Sequence, residues 1–230
     1  MVVVQSYPLA VFMCFITMLC WGSWANTQKL ASKEWRFQLF YWDYSIGVLL
    51  LALVLALTMG SMGSLGRSFF ADVSQASGKA ITSAVIGGVV FNFANILLVA
   101  AIDIAGMAVA FPVGIGLALV IGVVTNYLAV PLGNPVILFI GVGLVVVAII
   151  IDAIIYGKLP SETEKSVAKG LIISIIAGVA MGFFYRFVAA SMAPDFVNPQ
   201  PGFLSPYTAV VFFSIGLLVS NIIFVTAIML

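Results

Sequence analysis

Hydrophobic residues along this chain form long runs that are separated by short polar segments. Seven of the runs are about 20 residues or more in length, which is enough for a helix to cross roughly 30 Å of hydrocarbon. Because backbone groups must be satisfied internally in lipid, and because the runs lack the two-residue alternation of barrel strands, we predict seven transmembrane helices. The predicted spans are Pro8–Gln28, Phe37–Met59, Lys79–Ala101, Gly106–Ala129, Pro135–Tyr156, Val167–Ala190 and Pro206–Leu230.

The polar breaks between the runs are short, so neighbouring helices are expected to be antiparallel. The third break is predicted as a tight turn around Asp103, and the second, Gly60–Gly78, is rich in glycine and serine. The fold class is therefore an all-α polytopic membrane protein.

Composition narrows the function further. The chain is 63% hydrophobic and 7% charged, whereas soluble domains carry about a quarter charged residues. Its net charge of +1, without a basic face, gives nucleic-acid binding no electrostatic basis. The absence of histidine excludes a histidine metal site or catalytic triad, and no phosphate-cradling Gly-Lys-Ser/Thr pattern occurs in the fifth loop. We therefore expect no cofactor, no metal and no nucleic-acid partner.

Lysine and arginine in the loops predict the orientation, since cytoplasmic loops carry the excess of these residues. The two loops that we assign to the cytosol, the first and the fifth, carry Lys29, Lys33, Arg36, Lys158, Lys165 and Lys169. The opposite side carries Arg67, Lys79 and Arg186. The sequence thus predicts an integral protein of the cell (inner or plasma) membrane with its amino terminus outside.

A partial internal repeat relates the two ends of the chain. The segment YSIGVLL at 44–50 reappears as FSIGLLV at 213–219, and WGSW at 21–24 aligns loosely with MGFF at 181–184. The repeat is five helices long, an odd number, so its two copies insert with opposite topology, which is the architecture of many secondary transporters. We expect residues 1–156 to form the first repeat, 157–166 a short cytosolic linker, and 167–230 an incomplete second repeat. The chain is accordingly expected to be a fragment of a ten-helix protein.

One acid, Asp43, lies inside the predicted second helix, about 9 Å from its start. A carboxylate in hydrocarbon costs about 2.5–3.5 kcal/mol, so such a residue is a candidate for substrate binding or proton coupling. The alternative is that the helix begins at Tyr44, within an interfacial aromatic belt, and that Asp43 is a hydrated cap.

Other candidates for a solute site are aromatic or amide side chains within the spans. Trp21 and Trp24 share one face of the first helix, where they suit a polar solute or form an interfacial belt. Asn92 and Asn95 lie on one face of the third helix with Ala84 and Gly88, and either bind solute or join helices.

The fourth helix adds Asn126 to these candidates. Asn126 ends a stripe of small residues, Gly114, Ala118 and Gly122, which reads first as a packing ridge. Pro112, at the start of this helix, could kink or unwind it and so expose backbone to a transport site.

The segment YWDYSI at 41–46 resembles the Tyr-x-Asp-Tyr-Ser-Ile stretch of ureide permeases, and Gly22 with Trp24 resembles that family's Gly-x-Trp. Three further pieces match in order: Gly87-Gly88 with Asn95, Val120-Ile121-Gly122 with Asn126-Tyr127, and Gly141-Val142-Gly143. The family is similar to sugar porters of the drug/metabolite transporter superfamily, whose ten helices form two inverted repeats. The resemblance implies proton-coupled uptake of ureides, nucleobases or related neutral compounds. The short 157–166 loop departs from the long central loop of the plant members and leaves the substrate open.

The sequence thus favours a secondary transporter of a small neutral polar metabolite (ureide, nucleobase or sugar), working by proton-coupled alternating access. The alternatives are a passive channel or facilitator and, less favoured because acids are scarce and histidine is absent, a membrane enzyme. The expected partners are the lipid bilayer, the solute and protons, and a homo-oligomer is left open.

Overall fold

The structure is a computed structural model that describes residues 1–31, 35, 37–157 and 167–229. Every regular element in these ranges is an α-helix, apart from an isolated bridge between Met192 and Leu204. The helices are α1 (Tyr7–Ala31), α2 (Phe37–Leu57), α3 (Phe69–Gln75), α4 (Gly78–Ala105), α5 (Met107–Ala129), α6 (Pro135–Gly157), α7 (Val167–Ser191) and α8 (Pro206–Met229).

All seven predicted spans are helices, and each of the seven is long and apolar enough to cross a membrane. The sequence did not predict helix α3, which lies within the Gly- and Ser-rich break between the second and third predicted spans. The turn predicted around Asp103 is wrong in position. Residue 103 is still in α4, and the chain turns at Gly106, whose φ of +88° is accessible to glycine without a Cβ clash. The helix continues through Pro112 without a break.

The described residues group into two compact units, residues 1–85 with 191–230 and residues 86–190. This grouping reflects contacts in space. The repeat halves 1–156 and 167–230 are a different division, made on sequence, and stay a prediction. Residues 158–166, most of the predicted linker, lie outside the described residues, as do Lys33, Arg36, Lys158 and Lys165, on which the orientation argument depends.

In the first unit, α2 packs against α8. The buried residues Ala52 and Ala56 of α2 form a core with Val211 near the start of α8, while Ser45 near the start of α2 bonds Asn221 near the end of α8. The two helices are therefore antiparallel. We call this contact surface the α2–α8 seam.

A close helix approach in the same unit depends on Gly216 of α8. A Cβ placed there would overlap the carbonyl oxygen of Val85 in α4. Gly47, which aligns with Gly216 in the sequence repeat, has nothing within 4 Å of the corresponding position. The equivalent glycines therefore have different surroundings.

In the second unit, α5 packs against α6 and α7. The small-residue stripe of α5 is a packing ridge, as predicted: a Cβ at Gly178 of α7 would lie 2.6 Å from the carbonyl oxygen of Gly114, and one at Gly182 would lie 2.7 Å from Cβ of Ile121. Small residues let the two backbones approach closely, which is how helices associate in lipid.

Candidate functional site

Asp43 lies in the second turn of α2, which begins at Phe37. The alternative in which the helix starts at Tyr44 and Asp43 caps it is therefore wrong. The Asp43 side chain is exposed, whereas Tyr41 and Ser45 on either side of it are fully buried. The carboxylate thus projects away from the buried face of the helix on which Tyr41 and Ser45 lie.

Trp24 of α1 packs against the residue that follows Asp43. Its ring centroid lies 5.7 Å from that of Tyr44, at an interplanar angle of 63°, and Tyr44 in turn lies 5.4 Å from Tyr41. The Trp24 indole Nε1 is buried and donates no hydrogen bond to any described residue. Trp21 is 49% exposed. Of the two predicted tryptophans, the structure brings Trp24 to the Asp43 segment.

A polar link crosses the seam beside this aromatic group. Asn221 Nδ2 of α8 donates to Ser45 Oγ at 2.5 Å, and the Tyr41 carbonyl oxygen lies 3.5 Å from the same nitrogen. The Ser45 hydroxyl itself faces the carbonyl oxygens of Tyr41 at 2.9 Å and Trp42 at 3.0 Å. Sequence reasoning did not name Ser45, although its recurrence as Ser214 in the repeat was an available signal.

Asn92 and Asn95 of α4 are both buried, with relative exposures of 0% and 5%. Ala84 and Gly88, from the same predicted stripe, are buried too. A buried amide requires hydrogen-bond partners, and it can meet them with another helix or with a solute. These four residues therefore share a buried face, while the choice between solute and helix contact stays a prediction.

Asn126 of α5 lines a pocket of about 490 Å³ in the second unit. Its Nδ2 donates to the Gly122 carbonyl oxygen at 2.7 Å. The other lining residues come from the end of α5, the loop after it, the start of α6 and α7. They are Gly122, Val123, Tyr127, Val130, Leu132, Leu138, Tyr185, Arg186 and Ala189. Sequence reasoning counted Arg186 among the loop charges, named Tyr127 only within the family motif, and did not name Tyr185. The sequence signal that could have indicated this pocket is two short polar groups inside apolar runs, TNY at 125–127 and YR at 185–186.

The six predicted site residues divide between the two units. Trp21, Trp24 and Asp43 belong to the first, and Asn92, Asn95 and Asn126 belong to the second. Across the described ranges, no three His, Cys, Asp or Glu side chains could together hold a metal ion. The groups present suit hydrogen bonding and stacking with a polar solute.

Comparison with known proteins identifies relatives of this chain. The family model described as ureide permease matches residues 40–161. Among curated proteins, Ureide permease 1 of Arabidopsis thaliana is 29% identical over 128 residues, which are 55% of this chain and 33% of that protein. Ureide permease 2 of Arabidopsis thaliana is 28% identical over 184 residues, 74% of this chain and 46% of its own length.

A relative from another plant extends the comparison. Probable ureide permease A3 of Vigna unguiculata is 30% identical over 152 residues, which cover 64% of this chain and 40% of that protein. The chain thus spans about a third to a half of the curated relatives that it matches. No solved structure matches it.

The matched range begins just before the YWDYSI segment and includes Asp43, Asn92, Asn95 and Asn126. It covers more than half of the 230 residues. The resemblance read from the sequence motifs is therefore confirmed, and this chain belongs to the ureide permease family.

Proposed function

We propose that this protein is a secondary transporter that moves a small neutral polar metabolite across a membrane, with ureides as the first substrate class. The observation that carries the proposal is the family match over residues 40–161 together with the names of the relatives, all of which are ureide permeases. The seven membrane-length helices support a protein that works within a bilayer. Nucleobases and sugars remain further candidates, since the short central loop sets this chain apart from the plant proteins.

The proposed mechanism is alternating access between two inverted repeats, as in the drug/metabolite transporter superfamily. The seam supports it. In an antiparallel helix pair related by a two-fold axis, the residues beside the axis are equivalent to each other. The Ser45–Asn221 contact and the core of Ala52, Ala56 and Val211 are compatible with an axis near residues 48 and 217, which the sequence repeat also aligns. This agreement supports the proposed pseudo-symmetry.

Asp43 is the proposed coupling residue. Charged groups within transmembrane helices are costly and often serve as proton relays or substrate ligands. Uptake driven by protons needs a group that is neutral in one state and charged in another, and a carboxylate near the end of a span can be both. The repeat places Phe212 at the equivalent position in α8, so the acid belongs to one copy alone.

The proposed solute contacts are aromatic and amide side chains. In the first unit, Trp21 and Trp24 are the proposed stacking residues. In the second unit, Asn92, Asn95 and Asn126 are the proposed hydrogen-bonding residues. The 490 Å³ pocket that contains Asn126 is of the size that small-molecule sites have, about 300–1,000 Å³. Because of the loop charges, we propose that the protein lies in the cell membrane with its amino terminus outside.

Uptake into proteoliposomes that contain the full-length protein tests the proposal. Labelled allantoin, uracil and glucose are offered with and without an inward proton gradient, and a protonophore is added at steady state. We expect one of the three, allantoin first, to accumulate above equilibration and to leave when the gradient collapses. Equilibration without accumulation at any pH would instead make the protein a facilitator, and chemical conversion of the solute would make it an enzyme.

A further inference from the structure

Two loops at one end of the α2–α8 seam are joined through Arg67. Its Nε donates to Asp72 Oδ1 at 2.8 Å, and its two terminal nitrogens donate across to the 192–205 loop. The acceptors there are the carbonyl oxygens of Pro199 at 3.0 Å, Gln200 at 3.1 Å and Phe203 at 2.7 Å. A planar guanidinium with five donors suits such a junction, since it bonds a carboxylate and several carbonyl groups in one fixed geometry.

Asp72 receives bonds from both loops. Its side chain is fully buried, and Oδ2 accepts the backbone N–H of Ser205 at 2.7 Å. Gln75 completes the junction: its Oε1 accepts the backbone N–H of Gly202 at 2.6 Å, while its Nε2 donates to the carbonyl oxygen of Phe203 at 2.9 Å. We call this group of Arg67, Asp72 and Gln75, with the loop atoms that they bond, the clasp.

Below the clasp the seam is apolar. Ala52 and Ala56 pack with Val211, and the partly buried Phe69 and Tyr207 pack around them. The opposite end of the seam differs in chemistry. The polar link described there is the neutral bond from Asn221 to Ser45, close to the Trp24–Tyr44 pair and to Asp43.

We propose that the clasp is the fixed end of the seam, and that α2 and α8 separate at the Ser45–Asn221 end. Separating the clasp end would withdraw partners from a buried carboxylate and from the guanidinium beside it, which is strongly unfavourable. The bond from Asn221 to Ser45 joins two neutral groups, so exchanging it for a bond to water costs less than withdrawing partners from a buried charge. The seam consequently opens beside Asp43, at the end that the loop charges assign to the cytosol, where a proton or solute would be released during uptake.

The role of this opening in transport rests on the proposed function, but the test of the opening itself requires no substrate. Two matched cysteine variants of α8, Val211→Cys and Val225→Cys, report the two ends. Both valines are buried, at 4% and 1% exposure, and Val225 lies one turn beyond Asn221. They are about 21 Å apart along the helix. Cys14 and Cys20, exposed on α1, are replaced by alanine in both variants.

The full-length protein in native membrane vesicles is labelled with N-ethylmaleimide, which crosses membranes, and the rate is followed by mass spectrometry. Because buried groups react through local opening, we expect the cysteine at 225 to label about tenfold faster or more than the cysteine at 211. Equal rates, or faster labelling at 211, would overturn the proposal. This comparison leaves the clasp intact and so does not depend on the folding of a clasp variant.

A second comparison breaks the clasp by Arg67→Lys, which keeps the charge and removes the fork, and by Arg67→Ala. Labelling at 211 should rise about fivefold or more while labelling at 225 stays unchanged, because local opening then includes the clasp end. The control Lys79→Ala removes an exposed cation from the same region. Unchanged labelling at 211 in Arg67→Lys would also overturn the proposal. Faster labelling at 225 than at 211, without uptake of any solute, would refute the proposed transport function and leave the clasp proposal intact. Uptake of a solute without this difference in labelling would refute the clasp proposal and leave the transport function intact.

Discussion

Two aspartates in the first unit show how surroundings decide what a carboxylate does. Asp72 is fully buried and bonded on both oxygens, so it holds loops together. Asp43 is exposed within a membrane-length helix and flanked by buried neighbours. An acid within a membrane-spanning segment is a functional candidate by default, which is why Asp43 is the residue that we propose for coupling.

Asp43→Asn should abolish accumulation of the solute, because an amide cannot exchange the coupling proton. We expect the ratio of internal to external solute to fall about tenfold or to reach one, as expected when an intramembrane proton relay is lost. This ratio is measured by uptake into proteoliposomes under an inward proton gradient. The matched control is Asp103→Asn, which changes an exposed acid in the last turn of α4 and should leave accumulation intact. Accumulation by Asp43→Asn with unchanged pH dependence would remove Asp43 from coupling.

Asp72→Asn should destabilise the fold, because it leaves the Arg67 guanidinium without its anion. Removing one partner of a buried pair costs about 3–5 kcal/mol, and we expect the lower end because the Arg67 side chain is 20% exposed. Denaturant unfolding in detergent micelles gives the free energy of unfolding.

The control for Asp72 is Asp195→Asn in the same loop region. Backbone N–H groups of Asn198 and Val197 donate to the Asp195 carboxylate and lower its pKa, so it is charged at neutral pH. An asparagine oxygen can accept the same bonds, and the side chain is exposed, so the change should stay within about 0.5 kcal/mol. Equal losses from the two variants would contradict the role given to the clasp.

At the scale of elements, the seam between α2 and α8 joins two segments that also resemble each other in sequence. The resemblance does not extend to their contacts. Gly216 meets the backbone of α4, whereas Gly47 faces open space, and Ser45 bonds across the seam while Ser214 bonds to the Val210 carbonyl oxygen of its own helix. Equivalent positions thus carry different tasks.

Gly216→Ala should destabilise the protein by about 1–3 kcal/mol, since the new methyl group overlaps the Val85 carbonyl oxygen and forces α4 and α8 apart. Gly47→Ala is the matched control. It meets no atom within 4 Å and should be neutral or stabilising by about 0.5–1 kcal/mol, because alanine restricts the unfolded chain. The measurement is the free energy of unfolding of both variants. An equal change in the two would show that α4 and α8 do not approach closely at Gly216.

Ser45 and Asn221 should be energetically coupled. A double-mutant cycle with Ser45→Ala and Asn221→Ala is expected to give a coupling of about 0.6–1.7 kcal/mol, the range found for hydrogen bonds between membrane helices. The control cycle pairs Asn221→Ala with Ser214→Ala, whose hydroxyl bonds within α8 and should show no coupling. Zero coupling in the first cycle would mean that the bond contributes nothing to the seam.

At the scale of the whole molecule, the orientation in the membrane is the main prediction. Seven consecutive spans would put alternate loops on the same side of the membrane, and the loop charges predict which side is outside. Ser64→Cys, in the loop after α2, should react with a membrane-impermeant thiol reagent in intact cells. Met107→Cys, at the first residue of α5, should react with the same reagent only after the cells are permeabilised. Both residues are exposed, so accessibility within the fold does not decide the result. The reverse pattern would place the amino terminus in the cytosol.

The sequence determined the seven membrane-length helices and the family, because a bilayer allows few solutions for runs of this length and because the YWDYSI motif is short and specific. It also marked Asp43, the shared face of Asn92 and Asn95, and the packing ridge of α5, since each depends on local spacing along one helix.

Only the tertiary structure decided what depends on contacts between distant residues. These are the seam between α2 and α8, the bond from Asn221 to Ser45, the pocket around Asn126 and the clasp on Asp72. Their partners lie far apart along the chain. A one-dimensional pattern does not encode such distances, because in uniformly apolar helices almost any face can be buried.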